Sequence, residues 1–140
     1  MQKTTTEYII QDEKELDDIV FDLVPGDRVF FYGDLGAGKS TYIRHILRRY
    51  LDDPTLVVRS PTYTYYQRYW SNIYHFDLYR IEDYSTLISI GWGEILEDKN
   101  TIALIEWPEI LGDSITPTKK ISIEVMENGR RRVMVENILR

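Results

Sequence analysis

The chain has 140 residues, of which 43% are hydrophobic, so it is long enough to form one domain with a sizeable core. Its formal net charge of −6 disfavours broad electrostatic binding to nucleic acid, and we expect no DNA partner. Cysteine is absent, which excludes disulfides and thiolate metal sites, and no run of 18 apolar residues predicts a membrane span. We therefore expect a cytoplasmic protein that makes no membrane contact.

The first 32 residues predict a strand, a helix and a second strand. Residues 5–10 are β-prone, and residues 12–23 carry Leu16, Ile19 and Leu23 at helical spacing behind Asp12, a suitable helix cap. The turn at residues 25–27 then leads into the short β-prone run RVFFY at residues 28–32.

Residues 33–40, with the sequence GDLGAGKS, fit the phosphate-binding P-loop pattern G-x-x-x-x-G-K-[ST]. Glycines let backbone N–H groups converge on one anion, and the next helix adds the positive end of its dipole. Lys39 would reach the β- and γ-phosphates, and the Ser40 hydroxyl would ligate Mg²⁺. The residues expected to bind the nucleotide are Asp34, Leu35, Gly36, Ala37, Gly38, Lys39, Ser40 and Thr41. The alternative is a glycine-rich turn that binds no ligand, but it does not explain why Lys39 and Ser40 follow the last glycine.

A β-hairpin is predicted after the P-loop helix. Residues 56–58 suggest a short strand, and residues 63–69 and 73–78 form two β-prone runs around a turn. Asp77 lies near the end of the second run, as either a salt-bridge partner or a carboxylate that positions metal or water. We interpret His75 as a structural histidine or hydrogen-bond donor rather than a catalyst.

The rest of the chain predicts helices, a buried strand and a second hairpin. Residues 82–90 and 94–97 are helical in pattern, and residues 101–106 are a β-prone apolar run that ends in Glu106. In P-loop proteins such a strand often lies beside the P-loop strand with its acid facing Mg²⁺; the alternative is an ordinary solvated strand end. Residues 120–125 and 132–135 flank the turn residues Asn128 and Gly129.

Two basic clusters leave alternatives open. Arg44, Arg48 and Arg49 lie off the apolar stripe of the P-loop helix, and residues 130–132 are three consecutive arginines at the C-terminal hairpin turn. Each cluster is either a solvated surface or a contact for an acidic partner or RNA.

Four motifs, GDLGAGKST, SPTYT, HFDLYR and IEWPE, occur in this order, and together they resemble the TsaE family, the ATPase of bacterial tRNA threonylcarbamoyladenosine biosynthesis. The resemblance implies one P-loop ATPase domain over residues 1–140. The implied fold is α/β and P-loop NTPase-like, with three layers, a mixed central sheet, a β-hairpin after the P-loop helix and a C-terminal β-hairpin. It also implies ATP and Mg²⁺ as cofactors and the TsaD and TsaB proteins as partners, with tRNA contacted indirectly through their complex.

The resemblance also implies roles for individual residues. Lys39 and Ser40 would hold phosphate and Mg²⁺, with Ser40 standing where threonine is common in the family. Thr62 would belong to a switch-like segment near the γ-phosphate. Asp77 and Glu106 would be the catalytic and metal-binding carboxylates, and which of them touches Mg²⁺ directly stays open.

ATP is favoured over GTP because the sequence lacks the N-K-x-D guanine motif. No arginine is placed as an arginine finger, so hydrolysis by the chain alone is expected to be slow and activated by a partner. Two other functions stay open: a small-molecule P-loop kinase and a nucleotide-sensing module that does not hydrolyse its ligand.

Overall fold

The structure is a computed structural model that describes residues 2–19, 21–59, 61, 64–70 and 72–139. The described residues form seven strands: β1 (Gln2–Ile10), β2 (Arg28–Tyr32), β3 (Tyr66–Tyr69), β4 (Ile73–Asp77), β5 (Ile102–Glu106), β6 (Lys119–Val125) and β7 (Arg131–Leu139). The α-helices are α1 (Lys39–Tyr50), α2 (Tyr84–Ser89) and α3 (Trp92–Glu97), and 3₁₀ helices span Glu13–Asp18 and Pro108–Leu111.

The strands form one mixed sheet in the order β1-β7-β6-β2-β5-β4-β3. The central strands β6, β2, β5 and β4 are parallel, whereas β3 and the β1–β7 pair are added antiparallel at the two sides. Because β2, β5 and β4 are parallel, their carboxyl ends meet at one edge of the sheet. The predicted mixed sheet and both predicted hairpins are confirmed.

Two hydrophobic cores cover the two faces of the sheet, which gives the predicted three layers. On one face, Ile43 and Leu47 of α1 pack with Leu104 of β5. On the other face, Leu87 of α2 and Trp92 of α3 pack with neighbours that include Ile105. Successive residues of a strand point to opposite faces, so Glu106 points, like Leu104, toward α1.

The helix predicted over residues 12–23 is wrong in length and type. Asp12 does cap it, accepting a 2.9 Å hydrogen bond from the N–H of Lys14, but the 3₁₀ helix ends at Asp18. The N–H of Val24 is bonded instead to the Asp27 carboxylate at 2.8 Å. Ile19 and Leu23 are buried although neither lies in a helix, so their helical spacing reflects burial and not a helix.

The strand predicted over residues 56–58 is wrong, since this segment is irregular in the structure. The carbonyl of Leu56 accepts from Arg48 Nε at 2.9 Å, and Val57 is exposed. The first strand of the hairpin is also shorter than predicted, since β3 begins at Tyr66; Thr64 and Tyr65 are in a turn.

Candidate active site

The P-loop connects the end of β2 to the start of α1, as predicted. Gly33 has φ 154°, and a Cβ atom there would lie 2.7 Å from the carbonyl oxygen of Ile123 on β6. Gly38 is the N-cap of α1 with φ 109°, and no side chain caps the helix. The first-turn N–H groups of a 12-residue helix are thus left for an anion, which is what phosphate binding requires.

Arg131 braces this loop from the C-terminal hairpin. Its Nε donates a 2.8 Å hydrogen bond to the carbonyl oxygen of Ala37. The guanidinium also lies over Gly38, since a Cβ on that glycine would be 3.6 Å from Arg131 Nε. The sequence pattern of residues 130–132 indicated a solvated tip or a partner contact and did not predict this role, because no local pattern links residues 37 and 131.

Glu106 is the acid at the end of β5, and it contacts the P-loop as expected. β5 pairs with β2 in parallel, with Phe31 opposite Glu106. Ser40 Oγ donates to Glu106 Oε2 at 2.8 Å, and the glutamate is only 4% exposed. The hydroxyl and the carboxylate proposed for Mg²⁺ are therefore adjacent.

His75 makes the second contact of the same carboxylate oxygen. Its Nε2 lies 2.6 Å from Glu106 Oε2, and the ring is fully buried. This contact agrees with the interpretation of His75 as a structural histidine or hydrogen-bond donor, but its link to Glu106 was not predicted. The link follows from register, since β4 pairs with β5 and alternate residues of the two strands share a face.

Asp77 ends β4 directly beside Glu106, its partner in the β4–β5 register. The side chain is half-buried, and Oδ1 accepts from the N–H of Tyr79 at 3.1 Å. The structure thus brings both predicted carboxylates to one edge of the sheet, next to Ser40. Thr62, the third predicted catalytic residue, lies outside the described residues and stays a prediction.

Lys39 is buried between the loop and the residue that follows Glu106. Its Nζ donates to the carbonyl of Gly33 and lies 3.7 Å from the centroid of the Trp107 ring. Trp107 has φ 56°, a left-handed conformation that is uncommon for a bulky residue, and its ring packs 4.8 Å from that of Tyr79. This geometry gives Trp107 a contact role that the sequence did not reveal.

Burial lowers the pKa of the Lys39 ammonium below its ordinary value of 10.5. Nearby carboxylates oppose this shift, Glu106 more than Asp77. The site therefore combines one buried cation with two acids, and the acids keep that cation charged over a wider pH range.

The oxygen groups at this edge suit a hard cation. Within the described part of the chain, no three His, Cys, Asp or Glu side chains are grouped as a complete protein-only metal site. Mg²⁺ typically takes one or two carboxylates, a hydroxyl and phosphate oxygens, and keeps several waters. Ser40, Glu106 and Asp77 fit that donor set.

A cavity of about 140 Å³ lies beside the P-loop on the side of Arg131. Its lining includes Ile10, Gln11, Gly38, Thr41, Arg131 and Val133. It is continuous with the loop through Gly38 and Thr41, both within the stretch predicted to bind nucleotide.

Among the described residues, no helix is long and apolar enough to cross a membrane.

Comparisons with known proteins show which family the chain resembles. A family model described as threonylcarbamoyl adenosine biosynthesis protein TsaE matches residues 8–134. The protein of that pathway named TsaE from Rickettsia prowazekii is 36% identical over 122 residues, which cover 84% of this chain and 83% of the relative. The corresponding Haemophilus influenzae protein is 44% identical over 66 residues, or 45% of this chain and 40% of the relative.

A solved structure gives the same result for the fold alone. The crystal structure of Bacillus subtilis YdiB superimposes with a TM-score of 0.73 at 20% identity, covering 99% of this chain and 89% of that one. The family model spans most of the chain, and the match to the Rickettsia relative covers most of both chains. The chain therefore belongs to the TsaE family.

Proposed function

We propose that the chain is the ATP-binding and ATP-hydrolysing component of the machinery that makes N6-threonylcarbamoyladenosine in tRNA, and that it acts with the TsaD–TsaB complex. The observation that carries the hydrolytic part is the 2.8 Å bond from Ser40 Oγ to Glu106 Oε2. It joins the P-loop to the acid of the neighbouring strand, the arrangement by which P-loop NTPases place a metal beside the γ-phosphate. The names of the relatives support the tRNA-modification part.

In this proposal the residues of the P-loop and the two carboxylates have different roles in phosphoryl transfer. Lys39 and the first turn of α1 bind the β- and γ-phosphates, and the nucleoside extends toward the cavity beside Arg131. Ser40, Glu106 and Asp77 would hold Mg²⁺, which supplies charge neutralisation on the phosphates when bound. Asp77, the more accessible carboxylate, orients the attacking water.

Contact with tRNA is proposed to be indirect because the basic side chains are largely engaged within the chain. Arg44 pairs with Glu13, and Arg49 donates to the carbonyl of Asp17 at 3.1 Å. At the C-terminal hairpin, Arg132 Nε lies 3.0 Å from Glu7 Oε1, and Arg132 Nη1 lies 3.5 Å from Glu124 Oε2. Such pairs reduce the positive potential available to a phosphate backbone.

The test is phosphate release from ATP by the purified chain, alone and with the purified TsaD–TsaB pair. We expect slow release that rises when the pair is added, and release without any added phosphoryl acceptor. A requirement for an acceptor would favour a P-loop kinase instead. Tight ATP binding with no release under either condition would favour the nucleotide-sensing module.

A further inference from the structure

His75 is a polar side chain in a position where the fold would accept an apolar one. It lies in the middle of β4, opposite Leu104 on one side and Gln67 on the other, and it is 0% exposed. The neighbouring β4 residues Ile73 and Phe76 are buried and apolar. A histidine here must be explained by a contact that an apolar residue cannot make.

The ring has one such contact and one unpaired atom. Nε2 lies 2.6 Å from Glu106 Oε2, while Nδ1 is buried and has no hydrogen-bond partner among the described residues. Buried polar atoms without a partner are rare because burial removes their water without replacing it. An apolar residue would avoid the unpaired atom, so the bond to Glu106 is what the histidine adds.

That bond constrains the orientation of the carboxylate. A carboxylate only accepts hydrogen bonds, so the His75 Nε2–H and the Ser40 hydroxyl both donate to the same oxygen, Oε2. A glutamate side chain has several rotatable bonds, and two donors from different elements fix its rotation. In this orientation the lone pairs of the Ser40 oxygen stay available to a cation.

We propose that His75 is a positioning residue that holds Glu106 in the orientation that accepts the Ser40 hydroxyl, and that it thereby sets the affinity of the site for Mg²⁺ with nucleotide. The proposal rests on the function proposed above. His75 is fully buried and its contact is with Glu106, so it acts through that carboxylate and not on the nucleotide. Residues that orient metal-binding groups in this way typically change metal affinity by about 10–100-fold when they are replaced.

The test compares three replacements of His75 that differ in whether a donor reaches Glu106. His75→Leu removes the donor, and His75→Asn keeps an amide that is too short to reach. His75→Gln places an amide nitrogen close to the position of the ring Nε2, and serves as the matched rescue variant. Binding of a fluorescent ADP analogue is titrated first with EDTA and then with increasing MgCl₂.

We expect all three variants to bind the ADP analogue in EDTA with nearly the affinity of the unchanged chain. The Leu and Asn variants should need about tenfold or more MgCl₂ for the half-maximal Mg²⁺ effect on binding, and the Gln variant should need much less of an increase. Far-UV circular dichroism shows whether each variant folds, and a misfolded Leu variant leaves the Asn–Gln pair as the test.

Two results would overturn the proposal. One is an unchanged Mg²⁺ requirement in the Leu and Asn variants; the other is an equal loss of binding with and without Mg²⁺, which would make His75 merely structural. ATP turnover is measured separately on the unchanged chain. If turnover is absent but the Mg²⁺ requirement for ADP shifts as expected, the hydrolytic function fails while the role of His75 stands.

Discussion

Glu106 and Asp77 end neighbouring parallel strands at paired positions, but their side chains have different surroundings. Glu106 is 4% exposed and accepts hydrogen bonds from Ser40 and His75. Asp77 is half-buried and accepts the N–H of Tyr79, two residues further along its own chain. The hydrogen bonds to Glu106 come from two distant elements, whereas the bond from Tyr79 to Asp77 is local.

The difference separates two requirements of phosphoryl transfer. A group that orders a metal beside the P-loop benefits from burial and fixed hydrogen bonds, since reorganisation at the moment of reaction costs free energy. A group that orients water needs access to solvent and a lone pair that can accept a proton. We therefore propose that Glu106 mainly orders the metal and that Asp77 mainly orients the water.

The largest expected effect follows from the replacement Asp77→Asn. The amide keeps the size of the side chain and an oxygen for the Tyr79 N–H, but it loses the charge that orients water. We expect ATP turnover in the presence of the TsaD–TsaB pair to fall by about 10²–10⁴-fold, while ADP affinity changes little. Single-turnover phosphate release and ADP titration measure the two quantities.

The contradicting result is that Asp77→Asn keeps most of the turnover and Glu106→Gln loses it. In that case the buried carboxylate, not the accessible one, would orient the water.

The second largest expected effect is on the free energy of unfolding, which should decrease more when Glu106 is replaced than when Asp77 is replaced. Glu106→Ala leaves the buried donors of Ser40 and His75 without their acceptor, at about 1–3 kcal/mol for each unsatisfied group. Asp77→Ala removes the acceptor of the N–H of Tyr79, an exposed residue where water can replace it, so the loss of this bond should cost less, at about 0.5 kcal/mol. Urea unfolding of the two variants measures the difference.

Glu106→Gln is the matched control because its amide keeps one acceptor oxygen for the two donors. It should recover part of the stability that Glu106→Ala loses. Equal losses for the two alanine variants would mean that the buried Glu106 contributes no more to stability than the half-buried Asp77.

The sequence predicted those parts of the site that depend on consecutive residues. The P-loop from Gly33 to Ser40 fits a pattern in which every position has a local physical reason. Glu106 was predicted to face it because, in P-loop proteins, an apolar strand that ends in a carboxylate often lies beside the P-loop strand. The spacing left Asp77 open as a salt-bridge partner or a functional carboxylate, and the observed register of β4 and β5 brings it beside Glu106.

The sequence did not predict contacts between distant elements. The Arg131 bond to Ala37 and the His75 bond to Glu106 join residues 94 and 31 positions apart, and no local pattern contains either pair. The helix predicted over residues 12–23 failed for a related reason. Its apolar spacing fits a helix, but the same side chains are buried on a 3₁₀ turn and an irregular segment, which the pattern alone does not distinguish.

A smaller effect is expected from Trp107, the residue that follows Glu106, through its contact with Lys39. Trp107 lies 3.7 Å from Lys39 Nζ, within the range of a cation–π interaction. A double-mutant cycle of Lys39→Leu and Trp107→Ala should give a coupling of about 0.5–2 kcal/mol in unfolding free energy. The cycle removes effects of each single change, including relief of the left-handed backbone at Trp107.

Trp107→Phe in the same cycle keeps a ring with weaker attraction for a cation, so the coupling should shrink without vanishing. A coupling near zero for both replacements would show that the Lys39–Trp107 contact contributes nothing to stability.

The smallest expected effect is on the pKa of Lys39, which the two carboxylates should influence to different extents. Burial lowers this pKa below 10.5, and Glu106 opposes the shift more than Asp77. Nucleotide affinity should fall as pH rises through the lowered value, because the neutral amine loses its attraction for phosphate. Glu106→Gln removes the larger opposing charge, so Lys39 should deprotonate at lower pH in this variant than in the Asp77→Asn variant, and nucleotide affinity should decline at lower pH.

NMR titration of the Lys39 side chain, with ADP affinity measured in EDTA between neutral and alkaline pH, would reveal that order. The opposite order would mean that Asp77, not Glu106, is the carboxylate that mainly opposes the lowering of the Lys39 pKa.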